Sequence, residues 1–185
     1  VISDTSYQYD GFGNLIQTEG TNTLKAKSGN SVSTYGLDNR LETYNGETVL
    51  YDANGNMIYG PVDSQMAKLK YDSKNRLISV EAKDGALTTY HYDAEGIRIG
   101  ASHTEDGSTW EETYVTDRET TYTQLLSAER EGEETLYSYG LGLTGAIEDG
   151  KSFYYHYNHL GSMTALTDET GDVVAGACYG VYGEL

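Results

Sequence analysis

The chain is poor in the residues that staple, break or span. It has one cysteine, Cys178, so an intrachain disulfide is excluded. Cys178 follows Gly176-Ala177 in a strand-like run and reads as a half-buried, inert thiol. A single proline in 185 residues excludes a proline-rich spacer. Basic residues are few: 12 Lys and Arg stand against 29 Asp and Glu, for a net charge of -17. Such a surface repels phosphate, which argues against nucleic acid as a partner and against anionic membranes. The acids spread along the chain, with a cluster at Glu129 to Glu134, and read mainly as solvated surface. No apolar run is long enough to span a bilayer, and no leader or targeting tail is visible. The chain starts and stops inside strand-like text and reads as a fragment.

Large apolar side chains are scarce too, with two phenylalanines and one tryptophan. Few aliphatics and a high net charge would together suggest disorder. Tyrosine overturns that reading, because 18 tyrosines are far too many for a disordered chain. Each buries a ring and keeps a polar tip for a hydrogen bond or water. That suits a wide sheet with one half-wet face better than a dense globular core.

What the chain does have is a repeated phrase: Tyr-Asp, a few small polar residues, then Asn or Arg and an aliphatic pair. It reads Tyr9-Asp10-Gly11-Phe12-Gly13-Asn14-Leu15-Ile16 and Tyr51-Asp52-Ala53-Asn54-Gly55-Asn56-Met57-Ile58. It returns as Tyr71-Asp72-Ser73-Lys74-Asn75-Arg76-Leu77-Ile78 and Tyr92-Asp93-Ala94-Glu95-Gly96-Ile97-Arg98-Ile99, with a looser copy at Tyr35 to Leu41. The last three clear copies start 20 and 21 residues apart. A fixed period of this size signals a repeat architecture.

Each copy reads as strand, turn, strand. Asp with Asn or Gly supplies Asx-turn hydrogen bonds and tolerance of positive φ. Tyrosine closes the incoming strand and the aliphatic pair opens the next. In Leu77 to Glu81, Ile78 and Val80 share one face and Ser79 and Glu81 the other. No segment holds helical periodicity. The best candidate, Thr123 to Arg130, runs into Glu131-Gly132-Glu133-Glu134, which reads better as a hairpin turn.

The Tyr-Asp phrases resemble the YD, or RHS, repeats of bacterial polymorphic toxins, insecticidal toxin-complex C components and animal teneurins. Phe153-Tyr154-Tyr155-His156-Tyr157-Asn158-His159-Leu160-Gly161-Ser162 resembles the start of the RHS repeat-associated core, and Leu166-Thr167-Asp168-Glu169-Thr170-Gly171-Asp172-Val173-Val174-Ala175 continues it. Departures from the family pattern are Asn158 for Asp, Met163 for Arg, and Gly180-Val181 for Asp-Pro. Read without the family, Phe153, Tyr155 and Tyr157 share a strand face, Asn158 to Gly161 turns, and Asp168 to Gly171 turns again, giving a three-stranded meander. The expected organisation is YD repeats over 1–101, linking hairpins over 102–152 and the start of the core over 153–185. The expected fold is all-β, with tandem hairpins forming a spiralling antiparallel sheet, a segment of a hollow shell.

In the bacterial members that this resemblance implies, the shell encloses the C-terminal toxic domain of the same polypeptide and serves bacterial competition. A self-cleavage motif and a variable toxin follow the core there, and the chain stops at Leu185, ahead of both. The expectation is a secreted or cell-surface wall segment and not an enzyme. Its partners are other shell segments and that toxin domain, with self-association through open sheet edges and a glycan or protein ligand as further options. The alternative is a cell-surface adhesion or carbohydrate-binding module.

Signals for chemistry are weak. His156-x-x-His159 would share a face only on a helix, and the surrounding text is strand, so no metal is expected there. Asp52-Ala53-Asn54-Gly55-Asn56 has oxygens at alternate positions, but the glycine and glutamate that an EF-hand requires are Met57 and Asp63. An Asx turn accounts for it. Gly140 to Gly145 lacks the spacing and lysine of a phosphate loop and reads as a turn with close backbone packing. No serine sits in a nucleophile elbow, and Trp110 reads as packing under a hairpin. No cofactor is expected.

Overall fold

A computed structural model describes residues 5–12, 15–20, 31–158 and 160–177. The regular structure of these residues is β strand, as expected. β1 (Thr5–Tyr9) and β2 (Leu15–Gly20) form a separate hairpin. β3 (Ser33–Tyr35), β4 (Leu41–Tyr44) and β5 (Glu47–Thr48) form a three-stranded sheet. The remaining strands begin with β6 (Leu50–Tyr51), β7 (Met57–Val62), β8 (Gln65–Tyr71), β9 (Leu77–Ala82) and β10 (Leu87–Tyr92). They continue as β11 (Arg98–Glu105), β12 (Ser108–Asp117), β13 (Gln124–Arg130) and β14 (Glu133–Tyr139). Last come β15 (Leu143–Glu148), β16 (Lys151–Tyr157), β17 (Met163–Thr167) and β18 (Val173–Gly176). These thirteen hydrogen-bond in simple chain order from β6 to β18, antiparallel, without closing into a barrel. The helical candidate at Thr123 to Arg130 is strand β13, and Glu131-Gly132 is its turn.

The chain divides into two compact units. One is Asn30–Leu136; the other combines Val1–Gly29 with Tyr137–Leu185.

In Asn30–Leu136 the two faces of the sheet differ in chemistry. Cross-strand partners lie on the same face. One row crosses the strands as Leu69, Val80, Thr88, His103 and Trp110. A second row on that face is Tyr90, Ala101, Glu112 and Arg130. The opposite face carries Lys70, Ser79, Thr89, Ser102 and Glu111 in one row, and the Lys68–Glu81 ion pair (2.8 Å) in the next. The period-two alternation of the sequence therefore separates an aromatic face from a polar face.

Burial is shallow. Met66, Ala67, Leu69 and Ala101 are buried, yet no large side chain among the described residues is completely enclosed. Much of the work of a thick core passes to hydrogen bonds and to rings that cover their neighbours. The single proline fits its strand because β6 pairs only with Met57 and Tyr59, so the ladder on that side of β7 ends before Pro61.

Two kinds of turn alternate, except that Ala82–Ala86, on the first edge, has the five-residue form of the second. One edge of the unit carries two-residue turns with both φ values positive: Asn45-Gly46 (49° and 82°), Asp63-Ser64 (47° and 65°), Asp106-Gly107 and Glu131-Gly132. These are type I′ turns, whose twist matches a hairpin. The other edge carries the Tyr-Asp turns. The acidic side chains gather at both sets of turns and on the polar face, while Glu112 and Glu133 stand in the second of the aromatic rows.

In the second unit, β16 to β18 form the expected three-stranded meander, and β15 adds a fourth strand by pairing with β16. Tyr155, Leu166 and Ala175 are register partners across β16, β17 and β18, and Ala146 pairs with Phe153. Gly145 sits where a β-carbon would lie 2.9 Å from the Phe153 carbonyl oxygen, which explains the glycine as a close backbone approach. Gly140 donates its N–H to the Gly142 carbonyl (2.8 Å), turning the chain between β14 and β15. Cys178 lies outside the described residues.

Candidate functional site: the tyrosine–aspartate turn ladder

The Tyr-Asp phrase folds into one five-residue turn, repeated with little variation. In Asp52–Asn56 the Asp52 N–H donates to the Asn56 carbonyl (2.9 Å), and the Gly55 N–H donates back to the Asp52 carbonyl (3.1 Å). Asp72 and Arg76 repeat the first bond at 3.0 Å, as do Asp93 and Ile97. The fourth position adopts positive φ: Asn39 (60°), Gly55 (88°), Asn75 (60°) and Gly96 (92°). A type I turn followed by a left-handed residue makes a bulge. Accordingly the register shifts at each tyrosine, which pairs with the first residue of the outgoing strand: Tyr51 with Met57, Tyr71 with Leu77, Tyr92 with Arg98.

The aspartate makes the turn. One Asp52 carboxylate oxygen accepts the N–H groups of Asn54 and Asn56, both at 2.9 Å, and the other accepts the Asn56 amide at 2.9 Å. Asp72 accepts Lys74 and Arg76 N–H at 2.8 and 3.0 Å and pairs with the Arg76 guanidinium at 2.7 Å. Asp93 accepts the Ile97 N–H at 2.9 Å and pairs with Arg118. These bonds favour the ionised carboxyl. The Asn56 amide holds Asp52 below the ordinary carboxylate value, and the Arg76 N–H does the same for Asp72. At Asp93 burial pushes the other way, and the Ile97 N–H and Arg118 outweigh it.

The turns are joined sideways. The Tyr51 hydroxyl donates to the Leu41 carbonyl (2.9 Å), just past the preceding turn, while the Arg40 guanidinium lies over the Tyr51 ring at 4.9 Å. Tyr92 repeats this with Leu77 (2.7 Å) and Arg76 (4.7 Å). Between those two latches, the Asn75 side-chain oxygen accepts from Asn54 (3.1 Å) and Asn56 (2.8 Å). Arg118 then reaches back to Asp93 and Glu95. One turn thus holds the next from Asp52 to Arg118.

In the second unit Asn158 takes the aspartate's place without loss. Its side-chain oxygen accepts the Leu160 and Ser162 N–H groups at 2.9 and 3.0 Å, with Gly161 at positive φ. The Tyr157 hydroxyl donates to the Leu143 carbonyl at 2.7 Å. Asp168–Asp172 builds the same turn after Thr167, with Gly171 at φ 87°, and Thr170 donates its hydroxyl to Asp168 at 2.7 Å. Tyr155 is half-buried, and burial raises its hydroxyl above the ordinary tyrosine value. His156 is paired with the Thr167 hydroxyl at 2.9 Å. Tyr9 ends β1, and Asp10 accepts the Phe12 N–H at 2.9 Å. Gly13, Asn14 and His159 lie outside the described residues.

Several residues of the ladder escape sequence reasoning. Arg40 and Arg76 stand at matching places in the phrase, yet nothing local shows that each covers the tyrosine of a later copy. Arg98, near the end of the last copy, lies between Tyr90 (5.2 Å) and Tyr114 (5.7 Å), two tyrosines outside any copy. Tyr114 donates to Glu112 at 2.7 Å; burial first, then this carboxylate, pushes its hydroxyl up to about 12. Trp110 is stacked on His103 (5.4 Å between centroids) and covered by Arg130 (4.9 Å). Together these form a cross-strand aromatic cluster.

The sequence and the fold both have known counterparts. The teneurin YD-shell family profile matches residues 3–185. The tRNA3(Ser)-specific nuclease WapA of Bacillus spizizenii is 30% identical over 96% of the chain, and the tRNA nuclease WapA of Bacillus subtilis is 31% identical over the same share. The chain spans 7% of the length of each of these relatives. Among solved structures, the Tc holotoxin pore of Photorhabdus luminescens superposes on 98% of the chain with a TM-score of 0.63 and 17% identity, and the chain covers 10% of it. That likeness is one of fold. Linked Tyr-Asp turns on a sequential antiparallel sheet, with a family match over almost all of the sequence, make this chain a member of the teneurin YD-shell family.

Proposed function

We propose that the chain is a wall segment of an RHS-type shell that encloses a toxic domain carried further along the same secreted or cell-surface bacterial protein. The observation that carries this reading is the turn ladder. A sheet with so little enclosed core needs another source of stiffness, and the tyrosine latches and carboxylate-capped turns supply it along one edge. Tyr9, Asp10, Gly13, Asn14, Tyr51, Asp52, Gly55, Asn56, Tyr71, Asp72, Arg76, Tyr92, Asp93 and Gly96 are assigned this structural role. Tyr155, His156, His159, Leu160, Gly161, Ser162, Thr167, Asp168 and Gly171 are assigned the corresponding role in the core segment. The open strand order fits a piece that continues into further wall, since β6 and β18 each have one neighbour in it.

The relatives' nuclease names belong to proteins many times longer than this segment. The proposal places any such activity outside residues 1–185 and gives this segment confinement as its task. Limited proteolysis of the full-length protein tests it. The region following the shell should resist protease in the parent and become cleavable in an Arg76→Ala/Tyr92→Ala variant. Equal cleavage in both, together with binding to glycans or host-surface protein, would favour the adhesion reading instead.

A further inference from the structure

On the aromatic face of Asn30–Leu136, near the type I′ edge, β7 to β10 leave a trough of about 300 Å³. That is room for far more than the ~30 Å³ share of one water molecule. Its floor is made of small side chains: Ala67 and Ala82 are register partners, and Ala86 extends the line. Val62, Val80 and Tyr90 wall it. Two carboxylates stand at its mouth, Asp63 and Asp84, in neighbouring turns of one edge. Their hairpins are two strands apart, about 10 Å at ordinary strand spacing. Neither carboxylate has an ion-pair partner among the described residues. The closest lysine in sequence, Lys83, is turned to Glu47 (3.3 Å). Asp84 spends one oxygen on the Ala86 N–H at 3.0 Å and leaves the other free.

We propose that this trough receives a lysine or arginine side chain of an extended basic polypeptide, with the aliphatic stem laid over Ala67 and Ala82 and the charged head held between Asp63 and Asp84. Long cationic side chains bury their stems on apolar surface and keep their heads at polar groups. An apolar floor with an acidic mouth is complementary to that one shape. A purely apolar side chain would leave both carboxylates unpaired, and an acidic one would be repelled. The net charge of -17 draws basic chain towards the unit and adds to the local effect. The occupant rests on the container reading, in which an enclosed polypeptide faces the wall; the trough itself does not.

Fluorescence anisotropy at low salt tests it with a labelled Gly/Ser peptide carrying three lysines. Parallel peptides carry norleucine or glutamate at the same places. The lysine peptide should bind the 185-residue chain, and binding should weaken about fivefold in Asp63→Asn/Asp84→Asn, the size given by two partly exposed ion pairs. Asparagine accepts the left-handed φ of 47° at position 63 and retains the turn bond at position 84. Asp106→Asn, which removes a turn carboxylate outside the trough, should leave binding unchanged. The proposal is overturned if the lysine peptide does not bind, if norleucine binds as well as lysine, or if Asp106→Asn costs as much as the double variant. Displacement of the peptide by spermine as effectively as by unlabelled peptide would also overturn it, because the site would then take small polyamines. Protease protection in the full-length protein is read separately. Protection retained without peptide binding removes the trough and leaves the container; binding retained without protection does the reverse.

Discussion

Arg76 lies over the ring of Tyr92, with its guanidinium carbon 4.7 Å from the ring centroid. The Tyr92 hydroxyl, in turn, donates to the carbonyl of Leu77, the residue after Arg76. Cation–π contact and hydrogen bond close one loop between two repeats. Neither group can move without loosening the other.

Tyr92→Phe should therefore destabilise the fold by about 1 kcal/mol, the value of one net hydrogen bond. A double-mutant cycle of Arg76→Met and Tyr92→Leu should show a coupling of about 0.5–1 kcal/mol from the ring contact. Urea unfolding measures both. Zero coupling would mean that the two repeats stand independently.

The aspartates should be replaceable by asparagine but not by alanine. Asn158 already accepts the same pair of backbone N–H groups that Asp52 does. Asp52→Ala is expected to lower the urea midpoint, as loss of a side-chain cap does, and Asp52→Asn to lower it clearly less. Equal urea midpoints for the two variants would contradict the capping role.

Acid should unfold the protein through these turns. Asp38, Asp52, Asp72, Asp93 and Asp168 all hold their protons less tightly when folded than when unfolded. Their contribution is complete above the ordinary carboxyl value of about 4 and drains as pH falls through the depressed folded values. The unfolding midpoint in urea, followed from pH 7 downward, should fall steeply only below about pH 4. A midpoint that stays level there would show that the carboxylates contribute nothing.

Alkali should act through the tyrosines. Burial raises Tyr71, Tyr155 and Tyr157, and Tyr114 reaches about 12. A group whose folded value is raised stabilises fully below its unfolded value near 10 and loses that contribution above it. Ultraviolet titration of tyrosinate should show a late-ionising class, and Tyr114→Phe should remove its last member. Ionisation of all tyrosines in one step near pH 10 would contradict the burial of these rings.

Position four of the turn sets a backbone requirement. Gly55→Asn should be nearly silent, because Asn75 holds φ 60° at the same place and nothing lies within 4 Å of the new β-carbon. Gly96→Ala should cost about 1–2 kcal/mol from left-handed backbone alone. Its β-carbon would also come 3.1 Å from an Arg76 nitrogen. Thermal melts of the two variants should differ in that order.

The strands and turns were legible because their causes are local. Asp bonds backbone two and four residues on, Gly or Asn accepts the left-handed fourth position, and Tyr ends the strand, all within one phrase. Ser64 at φ 65° was not legible, since serine gives no hint of a type I′ turn. Nor was the edge on which each turn lies. Asp168–Asp172 has the geometry of a Tyr-Asp turn, yet strand alternation puts it at the opposite end of β17 from Asn158–Ser162. The lateral partners were hidden for a related reason. Arg40 covers a tyrosine 11 residues on and Arg76 one 16 residues on, so no constant spacing marks them. The trough at Ala67 and Ala82 depends on register across three hairpins, which no single phrase encodes.

Strand order equal to chain order has a consequence for biosynthesis. Every hairpin finds its partner in the residues made just before it, so loop-closure entropy stays small at each step. The sheet can be laid down vectorially, each arriving strand zipping onto a finished edge. A polypeptide emerging from a ribosome or a translocation channel could then build this sheet from first strand to last, with no distant segment to wait for.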